Sequence, residues 1–189
     1  MTTLYLIAAG KSLWLEQQRL ESPAGSPLAP GAEQDVAAIA EQLKGRGIED
    51  IYSGPGEQEL ASIEIIAAAL DVKARIEEEL REMDFGLWQG LSAADFKRRQ
   101  AKVYKLWVEN PAAVRPPEGE TLQQVQQRLA AALKDLAHKH EGESFAVVLR
   151  PMALVVAQCL LEGLSLDEVR AKVMGPFAWN SYEMDSREL

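Results

Sequence analysis

Short apolar runs that alternate with longer amphipathic segments are the feature that most constrains how this chain folds. Apolar runs predict strands over residues 4–7, 48–52, 72–76, 145–149 and 179–184. Helical spacing of apolar residues predicts helices over 32–43, 57–70, 92–108, 121–138 and 152–161. Because this alternation is typical of a parallel sheet covered on both faces, we predict an α/β fold. We expect a three-layer α/β/α sandwich with a mostly parallel central sheet, in a single domain over residues 1–189.

Three predicted loops follow the predicted strands at their carboxyl ends. They cover residues 8–12, 53–58 and 150–152, while the proline- and glycine-rich stretches 22–31 and 110–119 predict further loops. Parallel strands bring their carboxyl ends to one edge of the sheet, and ligand sites in such folds form outside that edge. The sequence therefore predicts that any small-molecule site lies among these three loops.

The charge of the chain excludes some classes of partner. The formal net charge is −9 at pH 7, which works against binding to nucleic acid or to an anionic membrane surface. It also disfavours polyanionic substrates unless a local basic pocket overrides it.

A single cysteine, Cys159, excludes an internal disulfide and fits a reducing cytoplasm, where we expect the protein. The start of the chain has no basic-then-apolar signal pattern.

Several segments carry residue patterns that occur together in one protein family. They are the strand at 4–7, Trp14 with Arg19, and the stretches 26–34, 51–55, 80–90, 117–128, 145–151 and 179–181. In this order they resemble the histidine phosphatase (phosphoglycerate mutase-like) superfamily, over almost the whole chain. The resemblance implies the phosphoglycerate mutase-like form of the α/β/α sandwich. It also implies phosphomonoester hydrolysis or phosphoglycerate mutation as the family activity.

The resemblance also implies which positions would form the catalytic site. The family places an Arg-His-Gly triplet after the first strand, with the histidine as nucleophile, whereas this chain reads Ala8-Ala9-Gly10. The family's arginine after the second strand corresponds to Gln58, and its second histidine corresponds to Arg150. Its asparagine in the first loop corresponds to Leu15. Of these positions, only Glu82, in the place of the general acid/base, keeps the family's residue type.

These departures predict that the family reaction is lost. An alanine methyl cannot accept a phosphoryl group, so the covalent route through Ala9 is closed. Loss of a single electrostatic contact in a catalytic site typically lowers the rate by about 10²–10³. A lone carboxylate at Glu82 repels phosphate. We therefore expect a degenerate, catalytically inactive member with a binding or regulatory role, and we expect neither a cofactor nor a metal ion.

Two alternatives remain open at the level of the sequence. One is a phosphatase-like or other hydrolase with a remodelled site that uses Glu82 and Arg150, with Ser12 or Ser53. The other is a sensor of phosphometabolites that binds them through Arg150 without turnover. The candidate pocket residues common to these hypotheses are Lys11, Ser12, Trp14, Ser53, Glu82 and Arg150. The partner is then either another protein or a small anionic ligand, and the fold also allows a homodimer.

Arg150 and the two histidines have competing interpretations. Arg150 either binds an anion or forms a structural ion pair with Glu82, and we favour the ion pair. His138 and His140 fall at the end of the long predicted helix, before the strand at 145–149. We expect them to be ordinary solvated side chains, at the edge of the sheet away from the site.

Overall fold

The computed structural model of the protein describes residues 1–169 and 178–185, and its centre is a five-stranded sheet. The strands are β1 (Thr2–Ala8), β2 (Ile48–Ser53), β3 (Lys73–Ile76), β4 (Ser144–Leu149) and β5 (Trp179–Met184). Their order is β3-β2-β4-β1-β5. The first four strands run parallel, and β5 pairs antiparallel with β1. This confirms the predicted α/β fold with a mostly parallel sheet.

Helices cover both faces of the sheet. In the described part of the chain they are α1 (Leu13–Glu16), α2 (Ala32–Leu43), α3 (Glu57–Leu70), α4 (Ala93–Arg99), α5 (Ala101–Glu109), α6 (Leu122–Lys139) and α7 (Pro151–Glu162). Helix α2 packs on α3, and α6 packs on α7. No helix in the described ranges is long and apolar enough to cross a membrane.

Alternate side chains of the central strands enter two different cores. Leu4 and Leu6 of β1 join the apolar cluster that contains Leu129 of α6. Tyr5 and Ile7 of the same strand join the second cluster, which contains residues of α2 and α3. This period of two is what a strand buried on both faces requires. Each face of the sheet is therefore closed by its own pair of helices, which makes the three layers.

The prediction of one continuous helix over 92–108 is wrong, because the structure divides this segment into α4 and α5. The chain leaves helical geometry at Gln100, where φ is −137° and ψ is 53°. The break lets Phe96 pack on Trp88, with ring centroids 4.5 Å apart, while Trp107 packs on Phe85 at 5.9 Å. Since no proline or glycine lies between residues 92 and 108, no local signal marks the break. Tertiary packing of the aromatic side chains decides it.

The two histidines differ in their surroundings. His138 is exposed, as predicted, but the expectation of a solvated His140 is wrong. Tyr52 Oη lies 2.8 Å from His140 Nε2, and Glu143 Oε2 lies 3.1 Å from its Nδ1. The imidazole also stacks on Phe145, with ring centroids 5.2 Å apart. His140 ends α6 just before β4 begins, so it lies at the end of the sheet opposite the predicted site loops.

Candidate functional site

The structure brings the three predicted site loops together at the carboxyl edge of the sheet. Ala8 of β1 is in register with Leu149 of β4, and Ser53 of β2 is in register with Val148. The N–H of Ala9 donates to the carbonyl of Leu149 at 2.9 Å. The loops that begin after these strands therefore surround one region, as the parallel topology predicts.

The first loop presents no polar side chain at its first three positions. Ala8 and Ala9 are half-buried and carry only methyl groups. Gly10 is held by packing, because a Cβ atom there would lie 2.7 Å from Leu28 Cδ2 and 2.8 Å from Val36 Cγ2. A larger residue at position 10 would therefore force Leu28 or Val36 to shift, while the side chains of the two preceding alanines bring nothing that can attack or bind a phosphoryl group.

Arg150 is the centre of the site, and it is fully buried. Its Nε donates to Glu59 Oε2 at 3.0 Å. Its Nη1 and Nη2 donate to the carbonyls of Ser22 and Pro23, both at 2.6 Å. Glu21 Oε2 lies 3.7 Å from Nη1. All three nitrogens of the guanidinium are therefore engaged by protein acceptors.

The expected pairing of Arg150 with Glu82 is wrong, since other groups occupy that carboxylate. Glu82 Oε1 accepts hydrogen bonds from the N–H groups of Met83 at 2.7 Å and Ala153 at 2.9 Å. Its Oε2 accepts from the N–H of Met152 at 3.0 Å. The amides of Met152 and Ala153 belong to the first turn of α7, where backbone donors lack helical partners. Glu82 therefore caps the N-terminus of α7, where the helix dipole favours a negative charge.

Glu59, the partner of Arg150, is a site residue that the sequence reasoning missed. It lies on the buried face of α3 with Ile63 and Ile66, at i, i+4 and i+7. A carboxylate on a buried helix face needs a buried partner. The place of Glu59 among apolar residues of the same face was therefore the signal that could have predicted its pairing with Arg150. Gly56 makes room for the pair, because a Cβ there would lie 2.6 Å from Glu59 Oε2 and 2.8 Å from Arg150 Cζ.

Glu21 is the second missed residue, and it completes an acidic cluster around Arg150. The buried Ser12 hydroxyl donates to Glu21 Oε1 and accepts from the N–H of Leu15 at 3.0 Å. Burial raises the pKa of Glu21, although Ser12 and Arg150 act against this rise. Burial also raises the pKa of Glu59 to about 8, with Arg150 again opposing. Both groups hold a proton more tightly than in water, which limits the negative charge around one guanidinium.

The remaining predicted pocket residues contribute little that a ligand could reach. Lys11 is exposed at the surface and does not join the cluster. Ser53 is buried, and its Oγ donates to the carbonyl of Gly54 at 3.0 Å. Gln58, at the position of the family's arginine and not among the predicted pocket residues, is also buried; its Oε1 accepts from the N–H of Ser26 at 3.2 Å, and its side chain also hydrogen-bonds Glu21. These side chains serve the local structure of the loops.

A cavity of about 210 Å³ lies beside the cluster. Its described lining combines an apolar wall with charged groups, namely Leu15, Leu20, Phe85, Trp107, Pro151, Met152 and Val169 together with Arg19, Glu21 and Glu82. Trp14 packs over Gly90, where a Cβ would lie 3.3 Å from its ring. Trp88 is buried in the core. Among the described residues, Trp107 is therefore the tryptophan that faces the cavity.

The backbone that carries Glu82 is fixed by Arg128. The guanidinium of Arg128 donates to the carbonyls of Arg81 at 2.8 Å and Glu82 at 3.2 Å, and it pairs with Glu120 at 2.9 Å. Burial alone would raise the pKa of Glu120. The hydrogen bonds from Arg128 and from the N–H of Asp84, with the charge of Arg128, outweigh burial and hold that pKa below its usual value.

This architecture defines a class: an α/β/α sandwich of the phosphoglycerate mutase-like kind, with its site at the carboxyl edge of the parallel strands. The family profile described as "Histidine phosphatase superfamily (branch 1)" matches residues 4–189. The chain belongs to the histidine phosphatase superfamily.

Relatives by sequence are distant but cover most of the chain. Phosphoserine phosphatase 1 of Hydrogenobacter thermophilus is 24% identical over 168 residues, which cover 89% of this chain and 80% of the relative. The probable phosphoglycerate mutase GpmB of Salmonella arizonae is 26% identical over 154 residues, which cover 82% and 72%. These proteins are what the chain resembles in sequence.

Solved structures agree with the fold over nearly the full length. YhfR of Bacillus stearothermophilus has a TM-score of 0.89 at 24% identity and covers 98% of this chain and 92% of its own. A mutant phosphoserine phosphatase of Entamoeba histolytica, in complex with phosphoserine, has a TM-score of 0.84 at 22% identity and covers 96% and 90%. At these identities, the similarity establishes the fold.

Proposed function

We propose that this protein is a catalytically inactive member of the histidine phosphatase superfamily with a binding or regulatory role, located in the cytoplasm. The observation that carries the proposal is the state of Arg150, which is fully buried with its donors directed to Glu59 and to two backbone carbonyls. An arginine whose donors are all occupied by protein acceptors has none left to bind a phosphate group. At the family's nucleophile position the chain offers Ala9, which has no group that could form a phosphoryl bond.

The electrostatics of the site support the same conclusion. Transfer of a phosphoryl group requires donors and positive charge directed at the phosphoryl oxygens. Here the carboxyl groups of Glu21 and Glu59 lie beside one guanidinium, and Glu82 also acts on both of them by charge repulsion. A phosphate dianion that entered this site would find the guanidinium of Arg150 already engaged by Glu59 and by two backbone carbonyls. The site therefore disfavours the ligand that the family chemistry needs.

The two alternative functions are weakened by the same contacts. A hydrolase that uses Glu82 would need its oxygens free, but three backbone N–H groups donate to them. A phosphate sensor that uses Arg150 would need an accessible guanidinium, whereas this one is fully buried. Both alternatives would require the site to rearrange before it could bind a substrate.

Hydrolysis of phosphate esters by the purified protein tests the proposal. The substrates are an aryl phosphate, phosphoserine and 3-phosphoglycerate, chosen because named relatives act in phosphate-ester chemistry. The comparison protein restores the residues that the resemblance implies and removes the partner of Arg150. It carries Ala8→Arg, Ala9→His, Gln58→Arg, Glu59→Ala and Arg150→His together. A matched control carries the same changes except Ala9→His.

We expect no hydrolysis of the phosphate esters by the native protein or by the matched control. We expect the restored protein to hydrolyse them. Turnover only with the histidine present would show that the scaffold is intact and that the nucleophile is what is missing. Hydrolysis of any ester by the native protein above background, abolished by Glu82→Gln, would overturn the proposal in favour of a remodelled hydrolase.

A further inference from the structure

Helices α4 and α5 carry a concentration of positive charge outside the candidate site. Five of the twenty lysine and arginine residues of the chain lie within these two helices, beside only two acidic residues. The helices contact the core through Phe96 and Trp107, and all five cations are exposed. We call these cations the basic face: Lys97, Arg98, Arg99, Lys102 and Lys105. In a chain of net charge −9, they form a local surface of the opposite sign.

Neighbouring carboxylates do not neutralise this positive charge. Arg98 pairs with Asp95 at 2.6 Å, and Lys105 pairs with Glu109 at 3.7 Å, both in exposed positions. Exposed pairs of this kind contribute little to stability, so each cation can exchange one carboxylate for another at small cost. Within the described ranges, no carboxylate forms a direct ion pair with the other three cations of the basic face. The face therefore has cations to offer to a partner.

Arg19 adds to the positive charge at the start of α4. Its backbone pairs in an isolated β-bridge with Ser92, the residue that caps this helix. The hydrogen bond from Ser92 lowers the pKa of Asp95, and the charges of Arg98, Arg99 and Arg19 lower it further against the effect of desolvation. Three guanidinium groups thus act on one carboxylate, and their positive charge exceeds its negative charge.

Exposed aliphatic side chains accompany the cations on α5. Leu106 is 42% exposed and Val108 is 38% exposed. Lys102 lies four residues before Leu106, so the two side chains are neighbours on the helix surface. A single exposed leucine is ordinary on a protein surface. Apolar contacts bordered by charged groups are, however, the usual composition of a protein–protein interface.

From this combination we infer that the basic face of α4 and α5 binds an acidic segment of another protein. Carboxylates of the segment would pair with the cations, and its apolar side chains would cover Leu106 and Val108. The inference extends the proposed function, because it gives the binding role a surface and a class of partner. It uses no residue of the cluster around Arg150.

Other anionic partners fit the basic face less well. Single-stranded nucleic acid binds where bases can stack on aromatic side chains, whereas Phe96 and Trp107 are buried and Tyr104 is half-buried. A membrane or a nucleic-acid duplex presents negative charge to a whole side of the molecule, so the net charge of −9 opposes its approach. A narrow protein segment interacts mainly with charges within about 8 Å at physiological salt. It therefore responds to the basic face more than to the net charge.

Fluorescence anisotropy of a labelled peptide tests the inference on the full chain. The probe is a short peptide in which pairs of glutamate and leucine alternate, and the matched probe has glutamine in place of every glutamate. We expect saturable binding of the acidic peptide that weakens as sodium chloride is added, because the contacts are exposed. The glutamine peptide should bind at least tenfold more weakly.

Variants at exposed positions locate the binding surface without disturbing the core. Lys102→Glu should weaken binding of the acidic peptide at least fivefold. Lys73→Glu makes the same change of charge at an exposed position of β3 and should leave binding within twofold. Leu106→Gln should weaken binding at least threefold, whereas Ile76→Gln changes an exposed aliphatic side chain of β3 and should have no effect.

Equal binding of the two peptides, undiminished binding by Lys102→Glu or Leu106→Gln, or no binding at millimolar peptide would overturn the inference. Sedimentation with vesicles of phosphatidylserine and phosphatidylcholine provides a further check. Vesicle binding that Lys102→Glu abolishes would assign the face to a membrane and would also overturn it. All of these results leave the proposed function in place, which only turnover of a phosphate ester removes.

Discussion

At the scale of single residues, the most telling feature is the guanidinium of Arg150, which is fully buried and hydrogen-bonded only to protein groups. A fully buried charge is tolerated only when it is paired and hydrogen-bonded. Glu59 and the carbonyls of Ser22 and Pro23 provide that support, and Gly56 leaves the space for it. The position has become structural, because the side chain now stabilises the loops that surround it.

Removal of Arg150 alone should therefore be costly. We expect Arg150→Met to lower the free energy of unfolding by about 1–3 kcal/mol, the usual effect of leaving buried hydrogen-bonding groups without a partner. Arg150→Met combined with Glu59→Met should lose less than the sum of the two single changes, because neither side chain is then left without its hydrogen-bond partner. Urea unfolding of the four proteins measures the coupling. Strict additivity would contradict the pairing.

The raised pKa of Glu59 predicts a dependence of stability on pH. In the folded protein this carboxyl keeps its proton up to a pKa of about 8, against 4.5 as the ordinary value. Between these values the folded state binds more protons than the unfolded state, so the contribution of Glu59 to stability falls as pH rises. Urea unfolding from pH 5 to pH 8 should show this decline in the native protein.

Glu59→Gln should flatten that decline. The matched control is Glu64→Gln, which changes an exposed carboxylate on the same helix and should leave the slope as it is. Equal slopes in the native protein and in Glu59→Gln would show that the carboxyl does not retain a proton in the folded state.

At the scale of elements, the segment around Glu82 and helix α7 stabilise each other. The carboxylate accepts from two amides in the first turn of α7, and Arg128 fixes the backbone on which Glu82 lies. The family resemblance assigns Glu82 to acid/base chemistry, whereas its contacts here give it the role of a helix cap. A structural role of this kind accounts for a glutamate at this position whether or not the protein is an enzyme.

Loss of that cap predicts a measurable destabilisation. Glu82→Gln replaces one carboxylate oxygen by an NH2 group that cannot accept from the helix amides, and we expect a loss of about 1–3 kcal/mol. Glu57 gives a matched control, since it is an exposed acidic residue in the first turn of α3. Glu57→Gln should cost only about 0.3–1 kcal/mol. Equal losses for the two variants, measured by urea unfolding, would show that Glu82 is not a buried cap.

At the scale of the whole molecule, the net charge and the contacts of the site both disfavour the binding of anions at that site. The chain carries a net charge of −9, and its carboxyl edge adds buried carboxyl groups around one engaged guanidinium. The net charge acts against anions at long range, and the guanidinium of Arg150 is already engaged by protein acceptors. We therefore expect the molecule to bind phosphate compounds poorly, despite its membership of a phosphatase superfamily.

Thermal stability in the presence of phosphate compounds checks this conclusion. A ligand that binds only the folded state raises the melting temperature, and the rise grows with the logarithm of the ligand concentration above its Kd. We expect millimolar phosphoserine or inorganic phosphate to produce no rise beyond that of sodium chloride at the same ionic strength. A specific rise that Arg150→Lys removes would instead favour the phosphate sensor.

Much of the fold was predictable because it depends on local periodicity. Apolar spacing placed α2 and α3 at their observed bounds, and the buried run at 145–149 became the core of β4. The break at Gln100 and the burial of His140 were not predictable. Both depend on packing between side chains that only the folded chain brings together, and no local pattern reports such contacts.

In the candidate site, too, some features could be predicted from the sequence and others could not. The sequence by itself determined that the first loop lacks a polar group at Ala8 and Ala9, because side-chain chemistry is a local property. It also predicted that the site loops meet at one edge of the sheet, because alternating strands and helices are typical of parallel strands, whose carboxyl ends share an edge. Only the tertiary structure decided that Arg150 pairs with Glu59 and that Glu82 caps α7. Partners for a buried charge are chosen by desolvation and distance, which exist only after the chain has folded.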